Sequence, residues 1–202
     1  RYSRGEPLWR WIRKIAAMKE KKIVWDPLLD DPNSEIFIVS VDGTDFRMWE
    51  QKHPTLPIDR KQYSKKFNHG AAKYEIALSV VRPKCVWISG PHRGGKHDLT
   101  IFREGLKAKM PPGKRAIADR GYVTNQPDER MLSTPSAKDS KELNNFKSRA
   151  RLRQETFNGR LKFFCCLAET FRHGLDKHKL ALEAVCVIVQ YQMDNGSEIF
   201  AV

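Results

Sequence analysis

A chain of 202 residues with 40% hydrophobic and 10% aromatic residues carries enough apolar surface for one substantial core, which excludes an intrinsically disordered polypeptide. Lysine and arginine number 37 against 24 acids, a net charge of +13, and this excess favours a polyanionic partner, nucleic acid first. No apolar run approaches the ~18 residues of a spanning helix, the longest (180–193) being interrupted by Glu183, Gln190 and Gln192, so no membrane partner is expected.

Residues 1–34 mix basic and aromatic side chains and end in the turn-rich DPLLDDPNS. They read as a helical lead-in and linker, the end of an upstream module against which Trp9 and Trp11 would pack; residues 35–202 read as one domain. IFIVSVD (36–42) places Ile36, Ile38 and Ser40 on one face and Phe37, Val39 and Val41 on the other, the pattern of a central strand buried on both sides. Residues 71–81 and 84–89 predict two further strands, joined at Arg82 and Pro83.

The stretch GPHRGGKHD (90–98) has Gly90, Gly95 and Lys96 at the spacing of a phosphate-cradling loop. His97 stands where such a loop needs Ser or Thr to hold Mg²⁺, and Pro91 removes a backbone donor. Contact of His92, Arg93, Lys96 and His97 with a DNA backbone is the more economical use. A helix over 98–106, broken by PPGK, and a short strand over 115–118 follow; 131–134 predicts one more strand. A long helix over 143–171 carries Leu143, Phe146, Ala150, Phe157, Leu161, Phe164, Ala168 and Phe171 as its buried stripe. With a last apolar helix over 177–193 the layout is α/β around one mixed sheet.

The four cysteines show no Cys-x-x-Cys spacing and read as reduced core residues. His173 and His178 are five apart, off the step that puts two ligands on one helix face, so zinc is not expected. No G-x-S-x-G nucleophile elbow occurs.

Two of the apolar strands end in aspartates, Asp42 and Asp119, and strand ends are where ligands gather in open sheets. Asp45 competes with Asp42 for the role of first acid, and Asp98 has the alternative of capping the helix that follows. Glu155 falls on a polar stripe with Ser148, Arg151, Asn158, Gly159 and Lys162, where pairing with Arg151 is the bland alternative. Gly159 costs ~1 kcal/mol against alanine in mid-helix, which points to close approach by another backbone such as DNA.

V-D-G-T-D (41–45), the loop ending His97-Asp98, A-D-R-G-Y (118–122) and R-L-R-Q-E-T-F-N-G-R-L-K (151–162), in that order, resemble the catalytic domain of Harbinger-type DDE transposases. Thirty-five residues separate Asp119 from Glu155, a distance familiar across that superfamily. The resemblance implies a ribonuclease H-like α/β fold, a mixed sheet flanked by helices, over the domain 35–202. It further implies Asp42, Asp119 and Glu155 as catalytic metal ligands, Asp98 as an auxiliary acid, and two Mg²⁺ or Mn²⁺ ions cutting DNA by in-line attack, with strand transfer to target DNA to follow. Relatives often carry arginine directly after the glutamate and phenylalanine three after it; Thr156 and Asn158 stand there instead.

Arg93, Lys96, Arg149, Arg151, Arg153, Arg160 and Lys162 are the expected DNA contacts, with Lys61, Lys65 and Lys66 as weaker ones. Transposon ends and target DNA are the expected partners, an accessory DNA reader and a homo-oligomer fit the same picture, and nuclear residence follows from the substrate. The alternative is a domesticated DNA-binding protein that kept the fold and lost turnover.

Overall fold

The computed structural model describes residues 6–50, 60–123 and 131–202. β1 (Phe37–Arg47) runs through the middle of the sheet, and the run Ile38, Val39, Ser40 and Val41 is buried as its unbroken apolar pattern demands. It pairs antiparallel with β3 (His69–Ser79) and parallel with β5 (Arg115–Ile117). β4 (Cys85–Arg93) lies antiparallel on the far side of β3, and β6 (Leu132–Ser133) parallel beyond β5. A two-residue β2 (Tyr63–Ser64) extends the start of β3. The order β4-β3-β1-β5-β6 is the mixed, ribonuclease H-like arrangement expected from the motifs.

Helices cover both faces. On one, Phe157 and Leu161 of α4 (Lys141–Lys162), Leu167 of α5 (Cys165–Ala168) and Leu182 and Val185 of α6 (Leu175–Asp194) pack on Phe46, Tyr74, Ile76 and Leu78. On the other, Phe102 of α3 (Asp98–Glu104), Leu106, Met110 and Tyr122 cover Ile38, Val41, Ala77 and Ala116. Each such side chain taken fully from water contributes about 1.5–3 kcal/mol, so the two layers hold the sheet from both sides. The lead-in forms α1 (Glu6–Ala16) and α2 (Lys19–Lys22), which lie against α6 through Lys19–Glu183 at 3.0 Å and Lys22–Asp194 at 3.6 Å. Trp9 meets His173 edge-on within this chain, whereas Trp11 is exposed with Lys14 over its ring. No helix among the described residues is long and apolar enough to cross a membrane.

Three expectations are corrected. The long helix stops at Lys162, because Phe164 leaves the helical region and Phe171 returns to bond with Arg47 and Trp49 at the end of β1; strand-like pairing takes over the backbone groups that a continued helix would have used. The first four residues of the glycine-rich stretch are strand, since β4 continues to Arg93. The N–H groups of Gly95 and Lys96 are spent on the Lys61 and Arg93 carbonyls, leaving no cradle for phosphate. Finally, Cys85 and Cys186 are buried free thiols as expected, but Cys165 and Cys166 are exposed.

Candidate active site

Asp42 in β1, Asp119 just past β5 and Glu155 on α4 line one cleft of about 70 Å³ together with Ser40, Val41, Ile117, Arg151 and Gln154. Parallel pairing of β1 with β5 carries the first two acids to the same end of the sheet. Asp119 is oriented locally: its Oδ1 accepts the Gly121 N–H at 2.7 Å, capping the short 3-10 turn Arg120–Tyr122.

α4 starts from a Ser140 cap and a pair at 2.7 Å between the buried Lys147 and the half-buried Asp139. Its inner face is then fixed by polar bonds as well as by Phe157 and Leu161. Ser40 donates to Gln154 Oε1 at 3.0 Å, Gln154 donates to the Ile76 carbonyl, and Asn158 Nδ2 donates to Asp42 Oδ2 at 2.8 Å. Glu155 therefore sits beside Asp42 because its neighbours in sequence, Gln154 and Asn158, are bonded to β1. Asn158 and Gln154 were not singled out as site residues by sequence reasoning; for Asn158 the one signal was its departure from the family's phenylalanine.

Burial, then the carboxylates of Asp119 and Asp98, raise the pKa of Asp42 to about 7; the Gly43 N–H opposes them and Glu155 adds a smaller push. Behind it Glu75 is fully buried and pushed up to about 8 by burial, despite the Trp87 Nε1–H bond at 3.2 Å.

Asp98 does not cap its helix, whose N-cap is His97 without a side-chain bond. Its carboxylate reaches over β1 instead: a Cβ on Gly43 would lie 2.5 Å from Asp98 Oδ1, and one on Gly121 3.1 Å from Oδ2. The glycines of V-D-G-T-D and A-D-R-G-Y thus clear the space that Asp98 occupies. Lys73 Nζ holds Asp98 at 2.9 Å and stands 3.8 Å from Asp45. Asp45, bonded by the Ser64 hydroxyl, does not line the cleft, which leaves Asp42 as the first acid there.

No three His, Cys, Asp or Glu side chains among the described residues stand close enough to hold a metal ion as they are. The donor chemistry nevertheless fits a hard divalent cation: Asp42, Asp98, Asp119 and Glu155 offer carboxylate oxygens, and the Asp42 pKa is raised by burial first and then by the charges of Asp119 and Asp98. His178 belongs to no metal site; its Nδ1 is 2.9 Å from the Tyr74 hydroxyl, and burial lowers its pKa to about 4.

The expected DNA contacts separate into distinct groups. Arg151 lines the cleft and Arg93 ends β4 exposed. Lys96 is paired with Glu104, and Lys162 lies 5.5 Å from the Phe46 ring centroid, half-buried. Arg149 donates to the Ala201 carbonyl at 2.7 Å and Arg160 to those of Ser197 and Glu198, so both hold the C-terminal tail. Arg153 is corrected outright: only 1% exposed, it donates to the Ser79 carbonyl inside the fold and has no path to DNA.

Comparison with known proteins places the chain in a family. The DDE superfamily endonuclease family matches residues 41–190, from the residue before Asp42 to near the end of α6. The probable transposase for insertion sequence element IS702 of Microchaete diplosiphon is 27% identical over 151 residues, covering 68% of this chain and 54% of that protein. The chain thus spans about half the length of the curated relative it matches. No solved structure matches. Since the match takes in most of the chain, including Asp42, Asp98, Asp119 and Glu155, the chain belongs to the DDE superfamily endonuclease family.

Proposed function

We propose that this chain is the DNA-cutting domain of a transposase, of the Harbinger type that its motifs resemble. The observation that carries the reading is the meeting of Asp42, Asp119 and Glu155, from two strands and a helix, on one cleft that also holds Arg151. Asp42, Asp119 and Glu155, with Asp98, would hold two Mg²⁺ or Mn²⁺ ions, which when bound supply Lewis-acid activation of water and charge stabilisation at the departing 3′ oxygen. Asn158 keeps the Asp42 carboxylate turned toward the cleft, and Arg151 is placed to take a phosphate oxygen of the bound strand. A freed 3′ hydroxyl replacing water at the same place would give strand transfer into target DNA.

A second reading, a DNA-binding protein that kept the fold without turnover, draws on the Lys73–Asp98 pair and on the acids not being gathered into a cage. Supercoiled plasmid incubated with Mg²⁺ or Mn²⁺, alongside titration calorimetry of either ion, separates the two. Ion binding with nicking supports the cutting domain; salt-sensitive DNA affinity with neither heat nor nicking overturns it.

Lys73 supplies a further expected outcome. Its ammonium is the counter-charge that Asp98 has in the metal-free fold, with 13% of the side chain exposed. Lys73→Met should tighten Mg²⁺ binding about tenfold, since the ion no longer competes for Asp98, and should cost the metal-free protein about 1–2 kcal/mol. Calorimetry and urea melts check both; weaker ion binding would mean that Lys73 organises Asp98 for the ion instead.

A further inference from the structure

Gly159 and Phe163 serve nothing described so far. Glycine weakens a helix interior, yet a Cβ on Gly159 would meet nothing within 4 Å, so no neighbour among the described residues requires it. Phe163, at the C-terminal end of α4 with helical dihedrals (φ −68, ψ −23), is 88% exposed, and Leu152 is 54% exposed. An aromatic side chain this bare loses its hydrophobic contribution to folding.

Winding at about 100° per residue places Gly159, Leu152 and Phe163 roughly 40°, 60° and 80° round the helix from Glu155, all to the same side. On the opposite side Asn158 turns to Asp42; further round, Arg149 and Arg160 hold the tail. The bare stripe lies between the candidate catalytic glutamate and the tail, covered by neither. Phe163 stands about 12 Å along the helix from Glu155, roughly the rise of three to four stacked nucleotides at about 3.4 Å each. Its surroundings are basic: Arg151 lines the cleft, Lys162 precedes it, and burial first and then the nearby Lys66 lower the Lys162 pKa.

We propose that the stripe of Leu152, Gly159 and Phe163 seats an unpaired stretch of the DNA strand that leads from the cut phosphate, Gly159 admitting the strand against the helix and Phe163 stacking on a base about three to four nucleotides away. The inference rests on the reading of Glu155 as part of the cutting site. Charge decides the occupant: a flat aromatic and a helix face without side-chain bulk, flanked by cations on a chain of net charge +13, match a base attached to a phosphate backbone.

The test uses the whole chain in EDTA, so that binding is read without cleavage. Fluorescence anisotropy compares a blunt duplex with one carrying a three-nucleotide 3′ overhang, and a 2-aminopurine in the overhang reports stacking by quenching. The wild-type chain should bind the overhang duplex more tightly and quench the probe. Phe163→Ala should weaken overhang binding about tenfold and abolish quenching, leaving blunt-duplex affinity unchanged; Phe163→Trp should restore both and Phe163→Leu neither. Gly159→Leu should raise the melting temperature, leucine being the better helix former, and still lose overhang binding. Unchanged overhang affinity in Phe163→Ala overturns the proposal, as does rescue by leucine, or a change only in oligomeric state by light scattering, which would make the stripe a contact between copies. Nicking by Glu155→Gln is scored separately, so failure of the cutting reading stays distinguishable from failure of the stacking seat.

Discussion

Asp42→Asn and Glu155→Gln are each expected to lower metal-dependent plasmid nicking by roughly 10³-fold, because each removes a charged oxygen ligand from a reaction that depends almost wholly on placed charge. Neither change should unfold the protein: Glu155 is exposed, and an amide at position 42 keeps the shape that Asn158 bonds. For Asp42 there is a second readout. Its folded pKa, about 7, lies above the ordinary 3.8, so its contribution to stability is fully present below about pH 4 and is lost as pH rises through 7. Metal-free wild type should therefore lose stability toward pH 8 relative to Asp42→Asn. The gap should be about 2–4 kcal/mol at pH 8, a shift of this size being worth about 1.4 kcal/mol per pH unit, and should close by pH 4. Mg²⁺ should restore the wild type and do nothing for the variant. Urea melts at pH 4 and 8 with parallel curves for the two proteins would remove the electrostatic account of the site, and undiminished nicking by either variant would remove its catalytic account.

Arg153 and Arg151, two residues apart, should fail in opposite ways. Arg153→Ala takes away the donor to the Ser79 carbonyl and leaves a void where a 1%-exposed side chain lay. An unpaired buried carbonyl costs about 1–3 kcal/mol and the void adds to it, so a loss of about 3 kcal/mol in a denaturant melt is expected. Arg151→Ala, at the cleft, should leave the melt within about 0.5 kcal/mol of wild type and weaken DNA binding with a salt slope shallower by about 1. The reverse pattern, a stable Arg153→Ala that binds DNA poorly, would mean that α4 is rotated from the orientation described.

The strands were legible because their signal is local. A continuous apolar run such as 36–42 has one favourable outcome, burial on both faces, and the structure buries its central four residues. The end of α4 was not legible, because the aromatic and small residues after Lys162 continue a helical rhythm, and only the pairing of Phe171 with Arg47 and Trp49 decides that the chain leaves it. A continuous strand through Arg93 was hidden for a similar reason: glycine and proline at 90 and 91 read as a loop until β3 provides the ladder.

By itself the sequence determined the family and the candidate donors: carboxylates at two strand ends and on one helix, a strongly basic composition, and motifs in an order that points to one family. Those are properties of residue type and spacing, which need no partner to be read. Tertiary structure alone decided which charges are used. Adjacent arginines on α4 share the same composition signal, yet packing sends Arg153 into the core, Arg149 and Arg160 to the tail and Arg151 to the cleft. Likewise Lys73, unremarkable in sequence, and Asn158, marked there only by its departure from the family's phenylalanine, became partners of Asp98 and Asp42 because β3 and α4 bring them there. The physical reason is that an ion pair or hydrogen bond depends on distances of about 3 Å, and for residues far apart along the chain only the packing of sheet and helices sets those.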